Sequence, residues 1–320
     1  MSPPVKPPFT LEHQLCRELD EPLTSSSTLQ QQCLPGYPCI SLRDRYRVLE
    51  YLSKEFLSED LDRVAGKLWW MSKQDSSNIS PLHRQLVKQR AVVVTEDPKL
   101  HLIWIHDRIF VKPLPRYILS YPFWRDYIDK DGEHAGRIRR AALGYLRTYW
   151  YLIRYESDFH MAQDPSLHLI PPDVSWEQFC HFASDLATIT DCDVSGRYAY
   201  GEIRLTRLNF YAPLLLQKSY FQRVDYQYGK YFARFYAPIL FVIGLVSIVL
   251  SALQLLAAVE QDHPTKNNQL SAVALGFGVA VIICFCIIFL CLSALLVYKT
   301  AKEWKYAIQD RLRLLEEGRA

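Results

Sequence analysis

Hydrophobic and polar positions are distributed very unevenly along this 320-residue chain, which has two long uncharged runs near its carboxyl end. The first run covers residues 235–259 and the second covers residues 270–298. At about 1.5 Å per helical residue, each run is longer than the roughly 30 Å of a bilayer's hydrocarbon core. The pattern therefore predicts two transmembrane helices, which the short connection at 260–269 would join as an antiparallel hairpin.

Charged residues beside the two runs predict an orientation for this hairpin. Seven basic residues oppose two acidic ones between 197 and 234, whereas the connection at 260–269 contains a single Lys. Basic residues concentrate on the cytosolic side of membrane proteins. We therefore expect a multi-pass membrane protein with both termini in the cytosol and the connecting loop in a lumen or outside the cell.

Ahead of the first run, the pattern predicts a mainly helical cytosolic α+β domain at residues 41–230. Its sheet is expected to be a small antiparallel meander of three strands, formed by residues 91–95, 100–106 and 109–113. Two further segments are expected at the ends of the chain. They are a flexible lead rich in Pro, Ser and Gln at residues 1–40 and a cytosolic helical tail at residues 299–320.

Two helix predictions in this domain rest on local signals. Residues 133–161 have apolar residues at helical spacing, and they are expected to form one long helix that buries a face including Ile138 and Tyr145. Ser175 and Gln178 have the spacing of a capping box, which predicts the start of another helix directly after Ser175.

The segment from 197 to 218 combines basic and apolar residues. Arg197, Arg204 and Lys218 fall on a seven-residue repeat, so a helix would carry a basic stripe, although Pro213 argues against one straight helix. Either this segment packs on the domain with its charges in solvent, or it contacts anionic lipid headgroups. The candidate headgroup contacts are Arg197, Arg204, Arg207, Lys218, Arg223, Lys230 and Arg234.

Small residues recur at helical spacing within both uncharged runs. Such residues allow two helices to approach closely. The candidate packing residues are Gly244, Ser247 and Ser251 in the first run, and Ala272, Gly276 and Ala280 in the second. They would serve either packing within the hairpin or homo-oligomerisation.

Composition and motifs give little sign of chemistry. The net charge of +3 provides no general attraction to nucleic acid. The eight cysteines form no C-x-x-C pair, and the sequence has no G-x-S-x-G, P-loop, H-E-x-x-H or G-x-G-x-x-G pattern. We therefore expect no catalytic residues, no cofactor and no metal ligands, although distant residues could still assemble a triad.

Four segments carry a resemblance to a known family: LHLIWIHDRIFVKPLPRYIL, ALGYLRTYWYLIRYESDF, YGEIRLTRLNFYAPLLL and QYGKYFARFYAPILFVIGLVSIVLSALQ. Through them the chain resembles an uncharacterised family of fungal integral membrane proteins, whose domain of unknown function precedes a helical hairpin. The resemblance extends from about residue 45 to about residue 260. Because it implies no activity, it assigns no catalytic residue.

The expected function is that of a membrane-anchored adaptor or scaffold whose cytosolic domain lies near the anionic leaflet. A membrane-anchored enzyme with a site built from distant residues, or an accessory subunit of a transporter, are the alternatives. The expected partners are the lipid bilayer, anionic lipids, and either a second copy or another membrane protein, but not nucleic acid.

Overall fold

The computed structural model describes residues 6–20, 33–70, 72–128, 132–218, 220–222 and 228–261, with short stretches between 276 and 298. The chain divides into two compact units, Met1–Phe221 (unit 1) and Gln222–Ala320 (unit 2). Unit 1 is α+β with mainly helical content, which confirms that part of the predicted fold class.

The described helices of unit 1 differ widely in length. In chain order they are α1 (Arg45–Phe56), α2 (Glu59–Arg63), α3 (Leu82–Val87), α4 (Tyr121–Phe123), α5 (Glu133–Leu152), α6 (Glu156–Ala162), α7 (Trp176–Leu186) and α8 (Leu205–Leu215). Shorter 3₁₀ turns include Ala65–Trp70 and Gly196–Ala199. The capping box is confirmed, because the Ser175 hydroxyl accepts from the Gln178 N–H at 3.2 Å and the Gln178 side chain accepts from the Ser175 N–H at 2.9 Å.

The described strands of unit 1 form two sheets. They are β1 (Cys33–Leu34), β2 (Tyr37–Ser41), β3 (Ala91–Val94), β4 (Ile103–Ile105), β5 (Arg108–Val111) and β6 (Ile203–Arg204). β1 and β2 pair as an antiparallel hairpin. The second sheet has the order β3-β5-β4-β6, in which β5 is parallel to β3 and antiparallel to β4, and β6 is parallel to β4.

This order shows that the predicted antiparallel meander is wrong. In a meander the second strand would be central, but β5 is central and pairs with both β3 and β4. Leu102 and His106 have left-handed backbone conformations, with φ of 59° and 51°, so β4 is confined to the residues between them. The free edge of β4 is then paired by β6, which comes about a hundred residues later in the chain.

The core of unit 1 is built around α5. Its buried side chains include Ile138, Tyr145, Tyr149 and Leu152, which confirms the predicted buried face. The predicted single helix at 133–161 is nevertheless split, because Ile153 has an extended backbone after α5 ends. The Asp158 carboxylate accepts hydrogen bonds from the backbone N–H groups of residues 154 and 155, and these bonds fix the start of α6.

Part of the expected flexible lead packs against α7 within unit 1. Phe9 is 3% exposed, and its ring centroid lies 4.9 Å from that of Phe182 in α7. His13 Nδ1 lies 2.8 Å from a carboxylate oxygen of Asp185, also in α7. Residues 6–20 therefore contribute to the core, while the six-segment division of the chain stays a prediction.

In unit 2 the structure describes α9 (Tyr228–Gln261), and it describes the second uncharged run only in pieces. Within the described residues, no helix has both the length and the apolar character needed to cross a membrane.

The predicted transmembrane hairpin is therefore wrong for the part of the chain that the structure describes. The same correction applies to the membrane class and to the multi-pass localisation with both termini in the cytosol. Absence of charge along a run of sequence makes a membrane span possible but does not by itself require one. Residues 262–269 of the expected loop, and the tail at 299–320, lie outside the described residues.

Candidate functional site

One face of α8 exposes large apolar side chains beside a basic one. Phe210 is 76% exposed and Leu214 is 72% exposed. Arg207 is also exposed, and it precedes them by three and seven residues, so the three side chains share one helix face. We call Arg207, Phe210 and Leu214 the α8 stripe. Exposed apolar side chains of this size beside a charge are typical of interaction surfaces.

The opposite face of α8 fixes the orientation of the stripe. Leu205, Leu208 and Ala212 are each at most 1% exposed, so this face is held in the core of unit 1. Pro213 cannot donate a backbone hydrogen bond inside the helix. The helix ends two residues later, and the side-chain oxygen of Asn209 accepts from the Phe221 N–H at 2.9 Å. α8 therefore cannot turn its exposed apolar residues inward without losing its buried leucines.

A second feature lies at the start of α8, where two guanidinium groups contact one indole ring. Arg90 lies 3.9 Å and Arg204 lies 5.1 Å from the centre of the Trp104 ring. Arg90 is also held by Glu202, whose carboxylate oxygen accepts from it at 2.7 Å. Cation–π contacts of this kind fix the exposed Arg204 near the first turn of α8. This cluster was not predictable from the sequence, because its members come from three separate segments.

The seven predicted basic contacts do not form one helical stripe. Residues 197–218 comprise a 3₁₀ turn, β6 and α8 rather than a single helix. Arg204 and Arg207 are exposed, whereas Lys218 pairs with Asp60 at 2.7 Å. Arg223 lies outside the described residues. Lys230 and Arg234 belong to the described backbone of α9, but their side chains do not belong to the described part.

Arg197 requires a specific correction. It is 3% exposed, and its guanidinium donates to the backbone carbonyl oxygens of Tyr200, Gly201 and His101 at 3.0 to 3.2 Å. Burial lowers the pKa of this guanidinium to about 10, which still leaves it charged at neutral pH. Arg197 is therefore a structural residue that joins the backbone at residues 200–201 to the backbone at His101, and it cannot reach a surface ligand.

The small residues that were predicted to allow close helix packing lie in unit 2. Gly244, Ser247 and Ser251 are exposed on α9, as are Gly276 and Ala280 in the described pieces of the second run. A Cβ atom added at Gly244 or Gly276 meets no described atom within 4 Å. Ala272 lies outside the described residues. Close helix packing through these residues stays a prediction.

Of the two described histidine–carboxylate pairs at 2.8 Å, His13–Asp185 and His83–Asp158, only the second has a fully buried carboxylate, and it is the pairing that catalysis could use. Asp158 is fully buried and accepts from the backbone N–H and from Nδ1 of His83, at 2.7 and 2.8 Å. This pairing leaves Nε2 of His83 as the acceptor of the ring, as in a base oriented by a carboxylate. Among the residues that the structure describes, no hydroxyl or thiol lies within hydrogen-bond distance of that nitrogen, so the nucleophile of a triad is missing.

A second histidine, His101, has a structural role. Its Nδ1 accepts from the Lys112 N–H at 3.1 Å, and its Nε2 lies 2.8 Å from the Thr148 hydroxyl. Burial, together with the nearby Arg197 and Lys112 charges, holds the pKa of His101 well below its usual range. The ring is therefore neutral and fully hydrogen-bonded. Nowhere in the described ranges do three or more His, Cys, Asp or Glu side chains form a group that could hold a metal ion.

Comparisons with known proteins place the chain in a family without giving it an activity. No curated protein and no solved structure matches it. The model of one family, described as "Family of unknown function (DUF6601)", matches residues 48–285, a range that contains the four-stranded sheet and the α8 stripe. Because that match covers most of the length of this chain, the chain belongs to DUF6601, a family of unknown function.

Proposed function

We propose that this chain is an adaptor or scaffold whose unit 1 binds a partner protein through the α8 stripe. The observation that carries this proposal is the exposure of Phe210 and Leu214 on a helix whose other face is anchored in the core. An aromatic side chain, a leucine and an arginine on one rigid helix face resemble the anchor residues of protein interfaces. The fungal source implied by the sequence resemblance also stays a prediction.

The charge of the stripe selects the kind of partner. Arg207 stands one turn before Phe210, and Arg204 is exposed at the start of the same helix. A second copy that met this face across a twofold axis would bring two Arg207 side chains into one interface, where like charges repel. The stripe therefore fits a different protein that presents acidic residues beside an apolar groove or helix.

A pair of serine substitutions tests this proposal in the full-length chain. The double variant Phe210→Ser with Leu214→Ser removes the apolar anchors, and loss of such anchors costs about 2 kcal/mol or more, or roughly thirtyfold in affinity. The matched control, Leu86→Ser with Val87→Ser, removes two exposed apolar side chains from α3 instead. All four residues are exposed, so unfolding free energies should change by about 0.5 kcal/mol or less.

The measurement is quantitative photo-crosslinking in cells, with a photo-reactive residue in place of the exposed Thr206. We expect crosslinks to an acidic segment of one partner protein, reduced at least tenfold by the stripe variant and by Arg207→Glu, and retained by the α3 control. Equal crosslinking by the stripe and control variants would contradict the proposal. Binding to phosphatidylserine vesicles that the stripe variant abolishes would also contradict it, because the stripe would then be a lipid contact.

An enzyme is the second candidate, and the His83–Asp158 pair is the observation that favours it. The buried Asp158 carboxylate orients the half-exposed His83 ring in the manner of a general base. The same carboxylate also accepts the N–H groups that start α3 and α6, which is a sufficient structural reason for its position. The adaptor therefore remains our first proposal.

A further inference from the structure

A cavity of about 380 Å³ opens between α2, α5 and the segment before the Gly196–Ala199 turn, away from the α8 stripe. Arg137 and Arg140 line it from α5, Asp62 lines it from α2, and Cys192 and Ser195 line it from the connecting segment. A volume of this size falls within the range of small-molecule binding sites, roughly 300 to 1,000 Å³.

The two arginines give the cavity a surplus of hydrogen-bond donors. The Arg137 guanidinium reaches a carboxylate oxygen of Glu59 only at 3.8 Å, which is too long for a hydrogen bond. The Arg140 side chain has no hydrogen bond or ion pair with any residue that the structure describes. Two guanidinium groups on successive turns of one rigid helix therefore line the cavity, and because Arg140 is exposed and Arg137 is half-exposed, their donors are open to solvent or to a ligand.

The rim of the cavity is held rigidly and adds a hydroxyl group to its lining. The Ser195 N–H donates to the Arg140 carbonyl at 3.1 Å, which ties the connecting segment to α5. The Ser195 hydroxyl oxygen is buried beside the Asp62 carboxylate, without a hydrogen bond of ordinary geometry to any described residue. Gly196 allows a close approach to Ala65, because an added Cβ would lie 2.8 Å from Cβ of Ala65. The Ser195 hydroxyl can therefore turn toward a ligand in the cavity.

Asp62 is the acidic residue of the cavity. Its carboxylate accepts from the Arg197 N–H at 3.3 Å. Burial raises the pKa of this carboxyl group, although the Arg197 N–H, the Ser195 hydroxyl and the positive charges of Arg197 and Arg137 oppose the rise. The two arginines thus outweigh the one carboxyl group, and the cavity has a positive balance that favours an anion.

We infer that this cavity binds a small phosphate monoester, whose phosphoryl oxygens accept hydrogen bonds from Arg137, Arg140 and the Ser195 hydroxyl. Guanidinium groups pair with phosphate through two parallel hydrogen bonds, and a phosphate monoester carries close to two negative charges at neutral pH. A carboxylate has one charge and two oxygens, so it matches the two arginines less well. The cavity is larger than a phosphoryl group, and the remaining space accommodates the esterified alcohol.

Isothermal titration of the full-length chain with glycerol 2-phosphate, inorganic phosphate and acetate tests this inference. We expect both phosphates to bind, the ester more tightly, and acetate at least tenfold more weakly. Arg140→Ala should weaken binding of the ester at least tenfold. The matched control is Arg139→Ala, which removes the same charge from the neighbouring position of α5, where the side chain donates to the Lys6 carbonyl rather than lining the cavity. The control should change affinity less than twofold.

The substitution Asp62→Asn distinguishes an effect of the Asp62 charge on binding from a purely structural role of this residue. The amide oxygen can still accept from the Arg197 N–H, while one negative charge is removed from the cavity, so binding of the ester should tighten about threefold or more. Cys192 supplies an independent measurement, because it is exposed at the cavity. Its alkylation by iodoacetamide should slow at least threefold with saturating ester in the wild-type chain, but not in Arg140→Ala.

Three outcomes would overturn the inference: no heat of binding with either phosphate, equal losses in Arg140→Ala and Arg139→Ala, or acetate binding as tightly as the ester. The urea unfolding midpoints of all three variants show whether each one is folded. Because none of these variants touches the α8 stripe, failure here leaves the adaptor proposal intact, and failure of the crosslinking experiment leaves this one intact.

Discussion

Replacement of Lys112 by methionine is expected to lower the free energy of unfolding by about 3 to 5 kcal/mol. Lys112 follows β5, and its side chain is 1% exposed. Its Nζ lies 2.7 Å from a carboxylate oxygen of Glu55 in α1 and 3.1 Å from one of Glu96, and it donates to the Glu96 carbonyl at 2.8 Å. Methionine keeps the length of the side chain but leaves the largely buried Glu55 carboxylate without its cation.

The surroundings of this ion pair explain the size of the effect. The Tyr51 and Tyr117 side chains lie close to Glu55. Burial is the largest cause that raises the pKa of the Tyr117 hydroxyl, and the negative charge of Glu55 is the second. The raised pKa of both tyrosine hydroxyls keeps them neutral. Neither hydroxyl supplies the positive charge that Lys112 provides, so removal of Lys112 leaves a largely buried carboxylate without a counter-charge.

Urea unfolding of single and double variants checks this prediction. Lys112→Met combined with Glu55→Gln should be more stable than Lys112→Met alone, because the second change removes the uncompensated charge. Lys99→Met is the matched control, since Lys99 pairs with the half-exposed Asp97 at 3.2 Å and should change stability by about 1 kcal/mol or less. A loss of stability in Lys112→Met no larger than in Lys99→Met would show that the ion pair contributes nothing.

The substitution Gly144→Ala is expected to destabilise unit 1 by about 1 to 3 kcal/mol, although alanine favours helix. Gly144 is in the middle of α5, and a Cβ atom there would overlap ring atoms of Tyr198 and lie 2.7 Å from its Cβ. Tyr198 cannot move away easily, because it is 6% exposed and its carbonyl oxygen accepts from Arg147 at 2.8 Å. The close approach of the Gly196–Ala199 turn to α5 therefore requires glycine at this position.

The same substitution at Gly136 should have the opposite effect. Gly136 is in the first turns of the same helix, and a Cβ atom there meets nothing within 4 Å. Gly136→Ala is therefore expected to stabilise the chain by about 0.5 to 1 kcal/mol through helix propensity alone. Thermal unfolding of both variants decides the matter, and a stabilised Gly144→Ala would mean that Tyr198 adopts another position at no cost.

Local signals in the sequence predicted local structure well. The capping box at Ser175 and Gln178 forms as expected, since its two hydrogen bonds involve residues only three apart. The buried face of α5 also follows from helical spacing. The length of that helix does not follow from the spacing, because the break after it depends on hydrogen bonds that the N–H groups of residues 154 and 155 donate to the Asp158 carboxylate, whose burial is a property of the packed core.

The pairing of distant segments could not be predicted from the sequence pattern. The strands of the second sheet could be located from their apolar residues, but their order depends on β6, which reaches β4 from the far end of unit 1. The same limit applies to the candidate sites. The α8 stripe is exposed only because the leucines on the other face of that helix are buried. The cavity lined by Arg137 and Arg140 brings together side chains as far apart in the chain as Asp62 and Ser195.

The α+β class, the helix start at Ser175 and the core face of α5 were predictable from the sequence, because these depend on the spacing of nearby residues. That Arg197 is buried against three carbonyl groups while Arg207 is exposed was visible only in the folded chain, although both are arginines in one basic segment. The folded structure also corrected the predicted hairpin for the described residues. Charge and hydropathy indicate which surroundings a side chain tolerates, whereas contacts between segments that are far apart in the chain determine its actual surroundings.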